Sequence, residues 1–187
     1  MQTKELIFKN AQALFSQEGY QATSMSIIAK ACGKNKATLY HYYKSKDELY
    51  NEILALYLHN LQANIGRSTL PLPEACDQIK AYITVLVEQD KDILRIINRQ
   101  LLDGHNHLNE ANRDSFSTIE KSFDAIFKLG IMNEEFKMMS PKTIYHVVFG
   151  ACSHYLLEEK CQDDKSSMDN KRFIDELFSI VFLSIKA

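Results

Sequence analysis

The sequence is poor in residues that interrupt helices, and it has no long apolar run. Its 187 residues include only 6 Gly and 3 Pro, which favours helices because these residues are the strongest breakers of regular structure. No run of about 20 apolar residues occurs, so we expect no membrane span. The first ten residues lack the apolar core of a secretory signal, so we expect no signal peptide.

Cysteine is scarce and scattered, without a CxxC pair or a Cys/His ligand spacing. This pattern favours reduced thiols in a cytoplasmic protein over a disulfide framework or a zinc site; the four positions are Cys32, Cys76, Cys152 and Cys161. His105 and His107 flank Asn106 but lack a third ligand, and His146 and His154 are expected to be core or interface residues. Because no nucleophile–base pair, phosphate-binding glycine loop or paired carboxylates are evident, we expect neither an enzyme nor a cofactor.

Charge is distributed unevenly along a chain whose formal net charge is −2. Residues 1–50 hold 7 Lys and 4 acidic residues, a net charge of +3, and residues 51–187 hold 15 basic and 20 acidic residues, a net charge of −5. A basic N-terminal segment on an acidic body is the asymmetry expected when only that segment meets a polyanion.

Residues 23–48 have the pattern of two short helices, a tight turn and the start of a third helix. Thr23 or Ser24 is a suitable N-cap, and Gly33 is a typical helix stop. In the second helix, about 36–43, one face holds Leu39, Tyr42 and Tyr43. The other face is cationic and aromatic, which suits a helix in a DNA groove; it comprises Lys36, Ala37, Tyr40, His41 and Lys44.

Apolar periodicity predicts helices along the rest of the chain and no strand, so the fold class is all-α. Ser45 and Glu48 form a capping-box pattern at the start of the next helix, and Ile65–Leu72 is a predicted break. Residues 161–170 are predicted to be a loop. The helices are expected at about 4–18, 24–32, 36–43, 46–63, 74–89, 91–103, 109–130, 141–160 and 171–185.

The last two helices carry more apolar surface than one core needs. The final helix is apolar all round, and Gly150 in the preceding helix suits close approach of another helix. We therefore predict a two-fold homodimer through a four-helix contact, against the alternative of a thick monomer core. The predicted interface residues are Ile144, Val148, Ala151, Tyr155, Phe173, Leu177, Ile180, Val181 and Ser184.

From about Ile7 to Leu54 the sequence resembles the TetR family of bacterial transcriptional regulators. The resemblance implies three DNA-reading helices, a fourth helix that leads to a ligand domain, and a dimer through the last two helices. It implies a DNA-binding domain at 1–46 and a ligand-binding and dimerisation domain at 47–187. Its carriers are Ala13–Phe15, Gly19-Tyr20, Thr23–Met25, Ile28-Ala29, Ala31, Gly33, Lys36, Thr38–Lys46 and Glu48-Leu49.

Two positions depart from the commonest family pattern. Lys34 stands where a small apolar residue is usual, and Ala37 stands where glycine is usual. We expect Lys34 to contact a phosphate and Ala37 to contact a thymine methyl. The DNA sequence preference of relatives therefore does not transfer to this chain.

We assign DNA contacts by position in the helix pair. Thr23, Tyr40, His41 and Lys46 are expected to hold phosphates, and Asn35 and Lys36 are the preferred base readers. The full predicted DNA-binding set is Thr23, Lys34, Asn35, Lys36, Ala37, Thr38, Tyr40, His41, Lys44 and Lys46.

The body is expected to hold a pocket for a small apolar or aromatic ligand, although stripes at helical spacing also occur in plain cores. Its candidate lining residues are Tyr57, Leu61, Tyr82, Leu86, Ile97, Leu101, Phe116, Ile119, Phe123, Tyr145 and Phe149.

These observations predict a homodimeric, ligand-responsive regulator, a repressor released from a palindromic operator by its ligand. Three alternatives stay open: a DNA-bound interaction factor without a small ligand, a small-molecule sequestering protein with a vestigial DNA-binding domain, and an activator in place of a repressor.

Overall fold

A computed structural model describes residues 3–102, 106–158 and 169–187, with the side chain of Leu101 excluded. These residues form ten helices and no strand; one isolated bridge joins Phe136 and Lys186. The all-α prediction is confirmed. His105, Cys161 and most of the loop expected at 161–170 lie outside the described residues. None of the described helices combines the length and the hydropathy needed to cross a membrane.

Helix bounds mostly follow the sequence prediction. The helices are α1 Thr3–Gln17, α2 Gly19–Ala22, α3 Met25–Ala31, α4 Lys36–Tyr42, α5 Lys46–Thr69, α6 Ala75–Val87, α7 Lys91–Leu102, α8 Glu110–Met132, α9 Pro141–Glu158 and α10 Asn170–Ile185.

Two bounds differ from expectation. The four-residue α2 was not predicted. Helix α5 continues through Gly66 to Thr69, so the break expected at 65–72 is wrong over its first part. Leu70 N–H still donates to Gly66 C=O at 3.1 Å, and a single glycine costs a helix interior only about 1 kcal/mol.

The chain divides into two compact units. The first, which we call the head unit, comprises residues up to 58 together with 90–114. In it α1 packs on α3 and α7, and α3 packs on α4. Its core is fully buried and includes Ile7, Phe15, Ile28, Leu39 and Leu49. The division predicted from the sequence, 1–46 and 47–187, separates DNA binding from ligand binding and not compact units, and it stays a prediction.

The second unit, which we call the body unit, comprises residues 59–89 and 115–187. In it α6 packs against α9 and α10. The α8–α9 connection folds back onto α8, because Glu135 and Phe136 donate their backbone N–H groups to Gly130 C=O at 2.8 and 3.1 Å. Phe136 is thereby buried against Phe127, with 5.2 Å between ring centroids.

Four of the predicted dimer residues belong to the body unit's own core. Ile144 and Val148 on α9 and Leu177 and Val181 on α10 are buried within a single chain. Tyr155 and Phe173 stack on each other with 3.9 Å between ring centroids. For these residues the structure supports the thick-core alternative, because periodicity shows that stripes exist but not which stripe faces inward.

The final helix is apolar all round, and within a single chain it is buried on one side only; its predicted cover by a second subunit stays a prediction. Ile180 is 63% exposed and Leu183 is 77% exposed. On α9, Val147 is 50% exposed, and a Cβ added at Gly150 would meet nothing within 4 Å. Both helices therefore have an outward stripe offset from the buried one; on α9 it includes the exposed His146 and His154 as well as Val147 and Gly150.

We predict that Gly130→Ala lowers the free energy of unfolding by about 1–3 kcal/mol, the usual cost of overpacking. A Cβ at Gly130 would overlap the Phe136 ring, which the α8–α9 connection holds in place. The control is Gly66→Ala, whose Cβ would meet only Leu70 Cδ1 at 3.9 Å and should gain helix propensity. Urea unfolding curves that rank the two variants in the opposite order would contradict this packing.

Candidate nucleic-acid interface

Helices α3 and α4 are each begun by a side-chain cap. Ser24 Oγ accepts from Ile27 N–H at 3.2 Å, and Asn35 Oδ1 accepts from Thr38 N–H at 2.8 Å. Between the helices Gly33 has φ of +61°, a conformation that suits glycine. These local signals fix a tight helix–turn–helix, because each cap satisfies an N–H group that the helix itself leaves free.

Helix α4 separates an inner face from an outer face as predicted, with one exception. Leu39 is fully buried, and Tyr43, just past the helix end, is 1% exposed. Tyr42, which we expected on the inner face, is 37% exposed and packs edge-on against His41 with 5.1 Å between ring centroids. The outer face of α4 therefore carries one aromatic residue more than the sequence indicated.

Cations surround this outer face and are free of acidic partners. Lys34, Lys36 and Lys44 are exposed, and the described part of the chain contains no ion pair for any of them. Lys36 Nζ lies 5.6 Å from the centroid of the Tyr40 ring, which is itself 46% exposed. On α3, exposed Lys30 adds a cation that sequence reasoning missed; its position outside the apolar stripe of α3 was the available signal.

Asn35 and Thr38 have contacts that restrict their predicted roles. Asn35 Oδ1 accepts from both the Thr38 N–H and the Thr38 hydroxyl, the latter at 2.9 Å. Only the amide NH₂ of Asn35 is left for a base, so the bidentate adenine contact expected of asparagine needs this cap to open. Lys36 and Ala37 have no such restriction, and both are exposed.

Thr23 and Lys46 are used inside the head unit, which corrects their assignment to DNA phosphates. Thr23 is 1% exposed, and its hydroxyl donates to Gly19 C=O at 2.7 Å. Lys46 Nζ donates to Tyr20 C=O at 2.8 Å and to Thr23 C=O at 3.0 Å, and it lies 3.8 Å from the Tyr20 ring centroid. Burial lowers the pKa of the Lys46 ammonium, an effect partly opposed by the charge of Asp47.

The capping box at the start of α5 is confirmed in a modified form. Glu48 N–H donates to Ser45 Oγ at 3.0 Å, as predicted. The returning bond from the Glu48 carboxylate is to the Lys44 N–H, at 2.6 Å. The box therefore extends one residue further and holds Lys44, two residues beyond the end of α4, against α5.

The sequence that forms these helices matches the profile of a known family. Residues 7–53 match the profile described as "Bacterial regulatory proteins, tetR family". Residues 7–53 form a TetR-family segment. The profile covers α1 to α4 and the first turns of α5, which are the elements that position the cationic and aromatic face of α4.

Relatives and solved structures extend the comparison. The HTH-type transcriptional regulator YhgD of Bacillus subtilis is 35% identical over 68 residues, 36% of each chain. The negative regulator of the biofilm operon icaADBC, IcaR of Staphylococcus epidermidis, is 41% identical over 49 residues, 26% of each chain. The match thus spans about a third or less of these relatives' length.

One solved structure matches over almost the whole chain. The ketosteroid transcriptional regulator KstR2 of Mycobacterium tuberculosis has a TM-score of 0.82 at 18% identity, with 99% of this chain and 95% of that chain covered. Identity this low shows the shared fold and nothing about the ligand.

The residues predicted to line an effector pocket are divided between the two units. In the body unit Tyr82, Phe123, Tyr145 and Phe149 form a continuous ring cluster, with successive centroids 5.2, 5.7 and 5.7 Å apart. Tyr82 and Phe123 are fully buried. Leu61, Leu86 and Ile119 are also buried and Phe116 is half-buried, while Tyr57 and Ile97 are buried in the head unit. The side chain of Leu101 lies outside the described residues.

Sequence reasoning missed an apolar groove in the body unit. It has a volume of about 420 Å³ and lies between the C-terminal part of α5, α6 and α8. Leu70, 83% exposed, and Leu129, 36% exposed, stand at its edge, and Ile65 and Ile126 form part of its wall. The predicted break at 65–72 hid it, because α5 was expected to end before these residues.

We predict that Lys36→Ala and Lys46→Met separate DNA binding from folding. Lys36→Ala should weaken binding to the preferred DNA duplex by about 1–3 kcal/mol and relax the sequence preference, with the salt dependence and unfolding unchanged. Lys46→Met should lower the free energy of unfolding by about 1–3 kcal/mol, because the two carbonyls lose their donor. Fluorescence anisotropy in a salt series and urea unfolding are the measurements. Equal effects of both variants on stability would contradict the assignment.

Proposed function

We propose that this protein is a homodimeric transcriptional repressor that binds a palindromic operator and is released by a small apolar or aromatic molecule in the cytoplasm. The observation that carries the proposal is the outer face of α4, where exposed Lys36, Ala37, Tyr40 and His41 share one surface beside the exposed cations Lys34 and Lys44. Repression is preferred over activation because the related IcaR is named a negative regulator.

The DNA role follows from the chemistry of that face. Ammonium and hydroxyl groups are the usual partners of phosphates. In helix–turn–helix proteins the N-terminal residues of the second helix contact base edges in the major groove, and here those residues are Lys36, Ala37 and Thr38. We assign base reading to Lys36 and Ala37 and phosphate contacts to Lys34, Tyr40, His41 and Lys44. In a two-fold dimer the two α4 helices would meet successive major grooves about 34–36 Å apart, which requires a palindromic operator.

The dimer is assigned to the outward stripe of α9 and α10. Val147 and Gly150 on α9 and Ile180 and Leu183 on α10 are exposed in the single chain, and Ser184 lies beside them. The absence of a side chain at Gly150 allows a partner helix to approach closely. A surface of this kind is self-complementary under two-fold symmetry, as closed dimers require. Of the residues predicted from the sequence, Ile180 and Ser184 remain in this interface.

The effector site is assigned to the apolar groove of the body unit. Its volume of about 420 Å³ lies in the usual range of small-molecule sites. Thr118 and Ser122 on α8 and Gln62 and Gln78 on α5 and α6 add a few polar groups to an apolar wall. A ligand alters DNA affinity only if it binds the DNA-free state more tightly than the DNA-bound state. The presence of this groove favours the ligand-responsive function over a DNA-bound interaction factor without a small ligand.

A direct test of the function uses a random DNA pool. Purified protein should select a palindrome from the pool at low salt, and the affinity for that palindrome should fall steeply as salt rises. Failure to enrich any sequence, while the protein remains folded and dimeric, would overturn the proposal and favour a sequestering protein.

We predict that Leu183→Glu raises the dimer dissociation constant at least about tenfold, because a carboxylate would be buried without a partner. Leu56→Glu is the matched control: Leu56 is 52% exposed on α5 and belongs to the head unit. Sedimentation equilibrium measures both. Loss of dimer in the control, or a fully dimeric Leu183→Glu protein, would assign the interface elsewhere.

We predict that Ala125→Trp blocks the groove. The indole would occupy space beside Leu129 and lower the affinity for the apolar dye 1-anilinonaphthalene-8-sulfonate by about tenfold. Ala55→Trp, at an exposed position on α5, is the control for adding a tryptophan. Unchanged dye affinity in Ala125→Trp would show that the groove does not take apolar molecules.

A further inference from the structure

The segment between α7 and α8 contacts the DNA-binding helices through one histidine. The His107 ring stacks on the Tyr20 ring with 3.9 Å between centroids and 22° between planes. His107 Nε2 lies 3.0 Å from the side-chain amide of Gln21. Tyr20 and Gln21 are the two central residues of α2, the short turn of helix that precedes α3. All of these residues belong to the head unit.

The backbone of the same segment is held by a buried asparagine. Asn51 of α5 donates to His107 C=O at 3.0 Å and accepts from Asn109 N–H at 2.9 Å. Asn112 of α8 donates to Asn51 Oδ1 at 2.9 Å and to Asn51 C=O at 3.0 Å. Asn51 and Asn112 are 8% and 2% exposed. Both side-chain groups of Asn51 are therefore satisfied by this one arrangement, which defines the position of residues 106–109.

Tyr20 passes the contact on to the helix–turn–helix. Its hydroxyl donates to Asp47 Oδ1 at 2.5 Å, and its ring lies under the Lys46 ammonium. Lys46 in turn holds Thr23 C=O, immediately before the Ser24 cap of α3. A continuous series of contacts thus runs from His107 through Tyr20 and Lys46 to the start of α3.

We propose that residues 106–109 form a clasp that fixes the DNA-binding position of α3 and α4, with His107 as its positioning residue. The proposal rests on the proposed function, since it names how that DNA-binding surface is controlled. His107 packs against α2 and is not part of the DNA-reading face of α4. Its effect on DNA binding therefore passes through Tyr20. Displacement of the clasp releases α2 and lowers DNA affinity without unfolding the head unit.

Side-chain chemistry supports a positioning role beyond simple packing. A histidine is a poor choice for filling an apolar site, and here one face of the ring stacks while Nε2 meets an amide. The Asn51–Asn109–Asn112 contacts are directional hydrogen bonds, which hold one geometry and are lost together when the segment moves. These hydrogen bonds are either all formed or all broken, so the segment can exist in two distinct states, and a switch between two such states can couple distant sites.

The test compares His107→Ala, His107→Phe and wild type. His107→Ala should weaken binding to the selected palindrome by about tenfold, within the usual range of coupling between sites. Amide hydrogen exchange in residues 24–42 should become faster, while exchange in the body unit is unchanged. His107→Phe retains the stack on Tyr20 and should recover most of the affinity. His59→Ala, at an exposed position on α5, is the control.

Each result decides the matter. Wild-type DNA affinity and wild-type exchange in His107→Ala would show that the segment is only packing, and the proposal would fail. Should His107→Ala not fold, Gln21→Ala replaces it: His107 Nε2 loses its amide partner, and a smaller loss of affinity is expected, whereas unchanged affinity and exchange would overturn the proposal. Should wild-type protein bind no DNA, the proposed function fails, and hydrogen exchange alone still confirms or refutes the clasp.

Discussion

The ammonium group of Lys46 is the interaction on which the geometry of the head unit depends. It joins the start of α5 to the backbone of Tyr20 and Thr23, the two ends of the short connection between α1 and α3. The charge is partly desolvated, but two carbonyl oxygens and the Tyr20 ring face compensate for the water that is lost. Without this ammonium group, the carbonyls of Tyr20 and Thr23 would lose the donor that Lys46 provides.

The placement of the DNA-reading helices follows from that interaction and from local caps. Ser24 and Asn35 begin α3 and α4, and Ser45 begins α5, so each helix start is fixed by a side chain near it in sequence. Contacts between distant parts of the chain then set the angle between elements. The outer face of α4 is what remains after Leu39 and Tyr43 are buried, and the exposed Lys36 and His41 lie on it.

Local features could be predicted from the sequence, and contacts between distant residues could not. The caps, the inner face of α4 and the all-α fold depend on residues within a turn or two of each other. The internal role of Lys46 depends on Tyr20 and Thr23, more than 20 residues away, and sequence alone does not distinguish such a lysine from one that meets a phosphate. Likewise α9 has two apolar stripes, and only packing against α6 decides that Ile144 and Val148 face inward.

The pocket illustrates the same limit of sequence reasoning. Tyr82 and Phe123 have the spacing of pocket residues and of core residues alike, and the structure buries both in a ring cluster. The groove was hidden by the assumption that Gly66 ends a helix, although tertiary packing carries α5 past it. Relatives of known structure share this fold at low identity, so the chemistry of the groove has to be determined on this chain.

Hydroxyl-radical footprinting on the selected DNA tests the central claim most directly. The account predicts two protected patches related by a two-fold axis and centred about one helical turn apart, 10–10.5 bp, as two α4 helices in successive major grooves require. A footprint that is weaker or altered in the Lys36→Ala variant would assign the contact to α4. A single patch, protection without two-fold symmetry, or a footprint unchanged by Lys36→Ala would contradict the account.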